Sequence, residues 1–363
     1  MKKATIRNMT SPNILKRGPV TLWRAGDIAE AKAGADWTVE VKGAGAVGII
    51  NAAVVVPTAR RGVVTVKEWR QEERGRLVEA LRLLVDHLFD RLNLHKVEVR
   101  SIDTKINVLS AALQCGFVEE GRRRQCRIAD NCWRDRVRMG MLESDWRREM
   151  PTARMSFEPR GPEPVRHDLP EIPSPTDEDF AILRGERVAF RRKCPADKEM
   201  FYRWLCRHEW WRGWMPENPG GFSPPTREQF EAKWDGRPAA HEWIVETERG
   251  IPLGVCFYSG LDRGNRSAEA GILFYEAEHW GRGYGTDAFG VLVKHMFEDL
   301  KLHRVHSGTW SGNIGSLGVQ QKNGLLIEAR GRECYFVDGE WYDGLGTGLL
   351  ENEYRQNRNG GRL

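Results

Sequence analysis

Apolar and polar positions alternate over Glu186–Lys193, the pattern of a half-buried strand, and then switch to helical spacing over Pro195–His208 and Thr226–Trp234. Strand-like runs follow at His241–Glu246, Leu253–Ser259 and Ala268–Phe274, separated by Gly or Arg-Gly turns. Phe289, Leu292, Val293, Met296, Phe297 and Leu300 keep the spacing of a helix with one apolar face. A strand at Arg304–Gly308, a helix from about Asn313 to Asn323 and closing strands at Arg332–Phe336 and Gly344–Leu350 complete the pattern. Interleaving of this kind predicts an α/β (α+β) fold, a mixed twisted sheet flanked by helices.

The first half of the chain repeats that pattern. Between Arg147 and Asp179 the sequence has seven prolines and little apolar periodicity, which reads as a linker. Shifting the chain by 208 positions maps Arg74, Gly75, Ala80, Leu84, Val85, His87, Phe89, Leu92, Leu94, His95 and Val97 onto identical residues, from Arg282 and Gly283 to His303 and Val305. At the same offset Trp133, Asp135, Gly140 and Leu142 recur as Trp341, Asp343, Gly348 and Leu350. The halves are expected to be one fold used twice, with domains at 1–148 and 181–357 joined by a linker at 149–180.

Composition narrows the class. The chain has 363 residues, 40% of them apolar and 29% charged, so wholesale disorder is excluded. The longest apolar stretch, Ala44 to Pro57, is broken by Gly45, Gly48 and Asn51 and falls short of the ~20 residues that cross a bilayer. No signal-peptide pattern follows the basic start, and the seven cysteines show no CxxC spacing, which predicts a cytoplasmic protein without a metal site or membrane association. The net charge of +5 is uneven: residues 1–150 carry +9 and the remainder −4. A solvated arginine-rich surface explains the basic half. No aromatic-basic motif of a nucleic-acid module accompanies it, so nucleic acid is not the expected partner.

The most specific segment is Trp280-Gly281-Arg282-Gly283-Tyr284-Gly285-Thr286. It follows a strand and opens a helix, so its three glycines are expected to take positive φ and turn backbone N–H groups toward a phosphate at the positive helix end. The spacing is neither that of a P-loop nor that of a dinucleotide fingerprint.

This segment resembles the acetyl-CoA pyrophosphate loop of the GNAT acyltransferase superfamily. The resemblance extends to Asn313-Ile314-Gly315-Ser316, to Lys322-Asn323-Gly324-Leu325 and to Asp338-Gly339-Glu340-Trp341-Tyr342-Asp343. It is nearest the branch that acetylates ribosomal-protein N-termini and small amines, and it covers about residues 181–355. The resemblance implies two GNAT-like domains and acetyl-CoA as cosubstrate. It places Trp280 to Thr286, Asn313 and Ser316 against the cosubstrate, and the main chain of Leu273, Phe274 and Tyr275 near the developing oxyanion. Trp280 departs from the usual Arg or Gln, and Gln320 stands where many members carry a Tyr acid. Direct attack by an amine requires a base, an oxyanion donor and an acid for the thiolate. Glu269 is the expected base, with Glu276, Glu278 and His279 in reserve. Ser316 and Tyr342 are the expected hydroxyl donors, Tyr335 another nearby hydroxyl, and a helix N-cap the alternative role for Ser316.

The ungapped equivalent of the loop in the first half is Glu72-Glu73-Arg74-Gly75-Arg76-Leu77, whose acids and missing glycines oppose a pyrophosphate. Arg61 replaces Glu269, and the helix near Asn107 and Ser110 is expected to be two residues shorter than its counterpart. The first domain therefore reads as a degenerate copy. Trp204, His208, Trp210, Trp211, Arg212 and Trp214 lie where the family builds an acceptor wall, so Trp210, Trp211, Arg212 and Trp214 are the expected substrate contacts. The expected activity is N-acetylation of a primary amine or hydroxylamine of a small molecule, anionic acceptors included, by a monomer or homodimer. The overall plan is similar to N-acetyltransferases of phosphonate-antibiotic pathways, which makes an antibiotic or its precursor the expected acceptor. The alternatives are N-terminal or lysine acetylation of a protein, and a non-catalytic CoA- or nucleic-acid-binding protein.

Overall fold

Alternating burial along successive segments builds two similar sheets, each with a long helix on one face. The computed structural model describes residues 14–24, 35–56, 59–148, 161, 163–165, 169–172, 183–207, 225–234 and 241–360. In chain order the elements are β1 (Ile14–Arg17), β2 (Val20–Arg24), β3 (Ala35–Val41), β4 (Gly45–Val56), β5 (Arg61–Trp69), α1 (Leu77–Asp90), β6 (Lys96–Ile102), α2 (Ile106–Gln114), β7 (Val118–Ala129), β8 (Cys132–Leu142), α3 (Glu143–Arg147) and the two-residue β9 (Glu163–Pro164). The second series is β10 (Val188–Arg191), α4 (Lys198–Tyr202), α5 (Arg227–Lys233), β11 (Glu242–Thr247), β12 (Pro252–Asp262), β13 (Ser267–Phe274), α6 (Tyr284–Glu298), β14 (Arg304–Trp310), α7 (Ile314–Lys322), β15 (Leu326–Val337), β16 (Glu340–Leu350) and α8 (Glu351–Asn359).

These elements form two compact units that do not follow a single cut at the linker. Unit 1 contains residues 1–122, 134–163 and 329–343; unit 2 contains 123–133, 164–328 and 344–363. The far end of each closing hairpin thus belongs to the unit built by the other half of the sequence. The expected boundaries at 148 and 181 miss this exchange, because hydrophobic patterning identifies the hairpins without saying where their tips pack.

Within unit 1 the strand order is β1-β2-β3-β4-β5-β6-β8-β7, antiparallel except for β5 and β6, which pair in parallel over Arg61–Val64 and Lys96–Val99. Helix α1 buries Leu77, Ala80, Leu81, Leu84, Val85, Leu88 and Phe89 against it. Segment 329–343 is tied in by polar and ring contacts. Trp341 stacks on His95 with ring centroids 3.6 Å apart, and His95 Nε2 lies 2.7 Å from Glu333. Arg332 reaches Glu120 at 3.1 Å and Asp145 at 2.9 Å, and the buried Lys96 ammonium donates to both Glu120 oxygens at 2.8 Å.

Unit 2 repeats the plan as β10-β11-β12-β13-β14-β16-β15, with β13 and β14 parallel over Ser267–Glu269 and Arg304–His306. Helix α6 lays Ala288, Phe289, Leu292, Val293, Met296 and Phe297 on Ala268, Ala270 and Val305. Each such large side chain contributes about 1.5–3 kcal/mol when fully buried. The opposite face carries a second cluster of Phe201, Trp204, Phe230, Ile244, Val255 and Tyr275. Segment 123–133 repeats, 208 positions earlier, what 329–343 does in unit 1. Trp133 stacks on His303 with centroids 3.8 Å apart, Gln125 Oε1 meets His303 Nε2 at 2.7 Å, and Arg124 pairs with Glu328 at 2.7 Å and with Glu353.

The structure departs from the sequence expectations in several elements. The run expected as one helix over Pro195–His208 is a 3-10 turn at Pro195–Asp197, then α4, then a wide π turn at Arg203–Arg207. Asp197 explains the first break: its carboxylate is held by Arg191 at 2.7 and 2.8 Å and accepts from the Cys194 N–H at 2.8 Å. Helix α2 is not shortened. It and α7 each span nine residues at the same offset, so Lys105 stands opposite Asn313 and Val108 opposite Ser316. Helix α8 was not foreseen. The expected acceptor residues Trp210, Trp211, Arg212 and Trp214, together with His208, lie outside the described residues.

Candidate active site

The parallel ladder between β13 and β14 ends at the pair Glu269 and His306. Beyond it the strands are no longer paired, and a cavity of about 450 Å³ opens beside the second half of β13, the loop before α6 and the length of α7. Ile272 to Tyr275, His279 to Gly281, Gly283, Gly285, Thr286, Asn313 to Ser316, Val319 and Lys322 line it.

The loop is shaped by two glycines rather than three. Gly281 and Gly283 adopt φ of +69° and +88°, a region that costs a residue with a Cβ. Gly285 is already inside α6, and a methyl group there would meet Val319 at an ordinary 3.5 Å. Gly283 is the N-cap of α6 and offers no side-chain acceptor, so the first N–H groups of the helix are left to a ligand at its positive end. Asp287 fixes this end in place, its two carboxylate oxygens accepting from the N–H groups of Glu186 and Arg187. The Arg187 guanidinium donates to the Arg282 carbonyl and lies over the Tyr284 ring at 5.1 Å. Lys322 lines the cavity, and the Arg187 guanidinium lies close to Gly283, where an added Cβ would meet it at 2.8 Å. Trp280 donates its indole N–H to the Phe274 carbonyl at 3.2 Å.

That bond also shows which way the β13 backbone faces. Along a strand, N–H and C=O groups alternate sides. The Phe274 carbonyl is turned to the cavity, and so is its N–H, whereas the Tyr275 N–H donates across to Leu253 at 3.0 Å. Of the three residues expected near an oxyanion, Phe274 presents its amide to the cavity. Tyr275 is buried, stacks on Trp204 at 4.8 Å, and burial raises its phenol pKa.

On α7, Asn313 rather than Ser316 caps the helix, its Oδ1 accepting from the Ser316 N–H at 3.0 Å. Ser316 Oγ accepts from Gln320 at 3.0 Å, and Gln320, 2% exposed, accepts in turn from Thr347 at 2.7 Å. A hydroxyl that accepts on one side keeps its own proton for another partner, and Ser316 lines the cavity. Gln320 itself is turned into the interior.

The remaining expected residues fall elsewhere. Glu269 is exposed and shares the β13 face that carries Leu273 and Tyr275, opposite the face covered by α6. Glu276 is engaged by Trp204 Nε1 at 2.7 Å and by Arg203 at 3.3 Å. Tyr342 and Tyr335 belong to unit 1, where Tyr342 donates to Glu340 at 3.3 Å and Tyr335 lies under Arg61; neither lines the cavity. Arg187, Val319 and Lys322 were not foreseen as site residues. Lys322 had a sequence signal, its place in the Lys-Asn-Gly-Leu turn; Arg187 comes into the site only through the fold.

In unit 1 the equivalent loop is a 3-10 turn over Gln71–Arg76 with Glu72 and Glu73 at its start. Leu77, the counterpart of Gly285, is fully buried in the core.

Comparison with known proteins agrees with this geometry. Residues 187–326 match the family described as "Acetyltransferase (GNAT) domain". The chain is 34% identical over 180 residues to "Putative ribosomal N-acetyltransferase YdaF" of Bacillus subtilis (strain 168), covering 48% of this chain and 97% of that protein. The chain belongs to the GNAT acetyltransferase family. As a GNAT enzyme it is an acetyltransferase, and acetyl-CoA is its donor. "Probable N-acetyltransferase YjcK" from the same organism is 36% identical over 83 residues, 23% of this chain and 46% of that protein, so the match spans about half of that relative's length. A GNAT-family acetyltransferase structure from Bacillus anthracis is similar with a TM-score of 0.40 and 22% identity, covering 47% of this chain and 99% of that one.

Proposed function

We propose that the second half of the chain transfers the acetyl group of acetyl-CoA to the primary amine of a small molecule. The observation that carries this reading is the parting of β13 and β14 at Glu269 and His306, which sets a carboxylate at the edge of the opening while backbone N–H groups and Ser316 line its interior. Acetyl-CoA supplies a thioester carbonyl activated by its thiolate leaving group. The N–H groups after Gly283, with Lys322 and Arg187, hold the pyrophosphate; Trp280 and Ile314 flank the cavity mouth. Glu269 accepts a proton from the incoming ammonium and leaves a lone pair on nitrogen. The Phe274 N–H faces the carbonyl oxygen as charge develops there, and the Ser316 hydroxyl donates toward the sulfur. The exchange balances as ammonium plus acetyl thioester giving amide, thiol and one proton.

A second reading, acetylation of a protein N-terminus, is favoured by the name of the 34% identical relative. Thioester consumption measured with primary amines, hydroxylamines and amine-bearing antibiotics on one side, and ribosomal proteins on the other, separates the two. Mass spectrometry identifies the acetylated product. Turnover only with ribosomal proteins overturns the small-molecule reading.

A further inference from the structure

Glycine inside a strand costs about 0.5–1 kcal/mol relative to alanine, so each one calls for a reason. On the sheet of unit 2 most reasons are steric. A Cβ on Gly254 would lie 2.0 Å from the Leu273 carbonyl, one on Gly271 would strike the Phe257 ring at 2.3 Å, and one on Gly348 would strike Glu328 at 2.5 Å. Gly308 has no such reason. Its φ is not positive, it is exposed, and an added Cβ would meet only Glu269 Oε1 and the Leu345 carbonyl at a comfortable 3.8 Å.

The repeat shows what a side chain there would do. In unit 1 the position of Gly308 is held by Arg100 and that of its ladder partner Gly346 by Arg138; these too are ladder partners. The two guanidiniums clasp Glu98, Arg100 at 2.6 Å, and Arg61, the ladder partner of Lys96, stands 4.0 Å away. The Glu98 side chain is completely buried by this arrangement. In unit 2 His306 takes the position of Glu98 and has Glu269 as its ladder partner where Glu98 has Val63, and both arginines have become glycines. The carboxylate is left beside bare backbone at the end of the ladder, with β13 running on from it into the acetyl-CoA cavity.

We infer that Gly308 is a specificity-determining residue: it keeps open the space beside Glu269 that a guanidinium fills in unit 1, and the acceptor's primary ammonium occupies that space. This rests on the reading that the protein acetylates an amine. The acceptor class it selects is a cation whose reacting nitrogen is unencumbered, with the rest of the molecule directed away from the strand.

The test uses the full chain, a panel of linear and α-branched primary alkylamines, and the variants Gly308→Ala and Gly308→Arg. One methyl group in a fitted pocket is worth roughly 10–200-fold in discrimination. Gly308→Ala is expected to raise KM for the amine at least tenfold, most for α-branched amines, while acetyl-CoA binding measured by calorimetry and the unfolding midpoint stay unchanged. Gly308→Arg is expected to abolish amine turnover and keep acetyl-CoA binding; if it fails to fold, the alanine variant decides. Wild-type turnover of amines with Gly308→Ala kinetics unchanged overturns this inference and leaves the functional reading standing. Absence of amine turnover in the wild type overturns both.

Discussion

Gly283 and Gly285 are two letters apart in the same motif, yet they do different things. Gly283 sits at φ +88°, and a Cβ would press on Arg187 at 2.8 Å, so Gly283→Val is expected to abolish acetyl-CoA binding in calorimetry. Gly285→Ala introduces a methyl group at ordinary contact distance and is expected to keep affinity within a few-fold. Sequence pattern treats all the loop glycines alike; the backbone angles separate them. The same holds for Glu269. Its type and position make it the base expected from the sequence, whereas the open space beside Gly308 is visible only once β14 is registered against β13. Glu269→Gln is expected to lower turnover by roughly 10²–10⁴-fold at neutral pH with acetyl-CoA affinity intact. The deficit should narrow as pH approaches the pKa of the amine, and a loss of only a few-fold at pH 7 would assign the proton transfer to another group.

At the scale of elements, the pairing of α6 with the turn before β10 rests on one side chain. Asp287→Ala removes two charge-assisted hydrogen bonds to backbone N–H groups, each worth about 1.5–3 kcal/mol in protected settings and less at this exposed one. The variant is expected to unfold earlier and to bind acetyl-CoA more weakly, whereas Asp287→Asn, which keeps one acceptor, should recover part of both. The hairpin tips make a second, pH-dependent contribution. Burial, with Arg304 and Arg266 nearby, pushes the His303 imidazole pKa down to about 4 from an ordinary 6.5. The folded state then favours the neutral ring stacked on Trp133. Its stabilisation is complete above about pH 6.5, falls as pH drops and is gone by about pH 4, a change of up to about 3 kcal/mol. Urea unfolding at pH 7.5 and 4.5 checks this, with His303→Gln expected to lose part of the difference. Strands, the long helices and the loop were legible from periodicity. The broken helix at Pro195 was not, because Asp197 and Arg191 act through side chains across a turn, and neither was the equal length of α2 and α7, since Asn107 and Ser110 imitate a shifted motif.

For the molecule as a whole, the 208-residue repeat was legible because identical residues recur, and it located the site in one copy by contrast. Glu72, Glu73 and the buried Leu77 replace the binding loop in unit 1, so calorimetry of the full chain is expected to find one acetyl-CoA per chain; two equivalent sites would contradict it. The hairpin exchange was not legible. Trp133 and Trp341 were seen as matching residues, but a repeat records likeness, not the partner each tip packs against. A fragment of residues 180–363 lacks 123–133, leaving His303 without Trp133 and Glu328 without Arg124. It is expected to be less stable and less soluble than the full chain, and a separately added first half should restore activity.

The exchange also bears on how the protein is made. Residues 329–343, which complete unit 1, are synthesised after most of unit 2, whereas the rest of unit 1 is made before residue 164. Until then His95 has no Trp341 to stack on, and the Lys96 and Glu120 pair lacks Arg332. The first-made unit therefore waits through most of the synthesis of the second before it can close. A chain stopped at residue 328 should expose unit 1 to proteolysis even though the lesion lies in the other half of the gene.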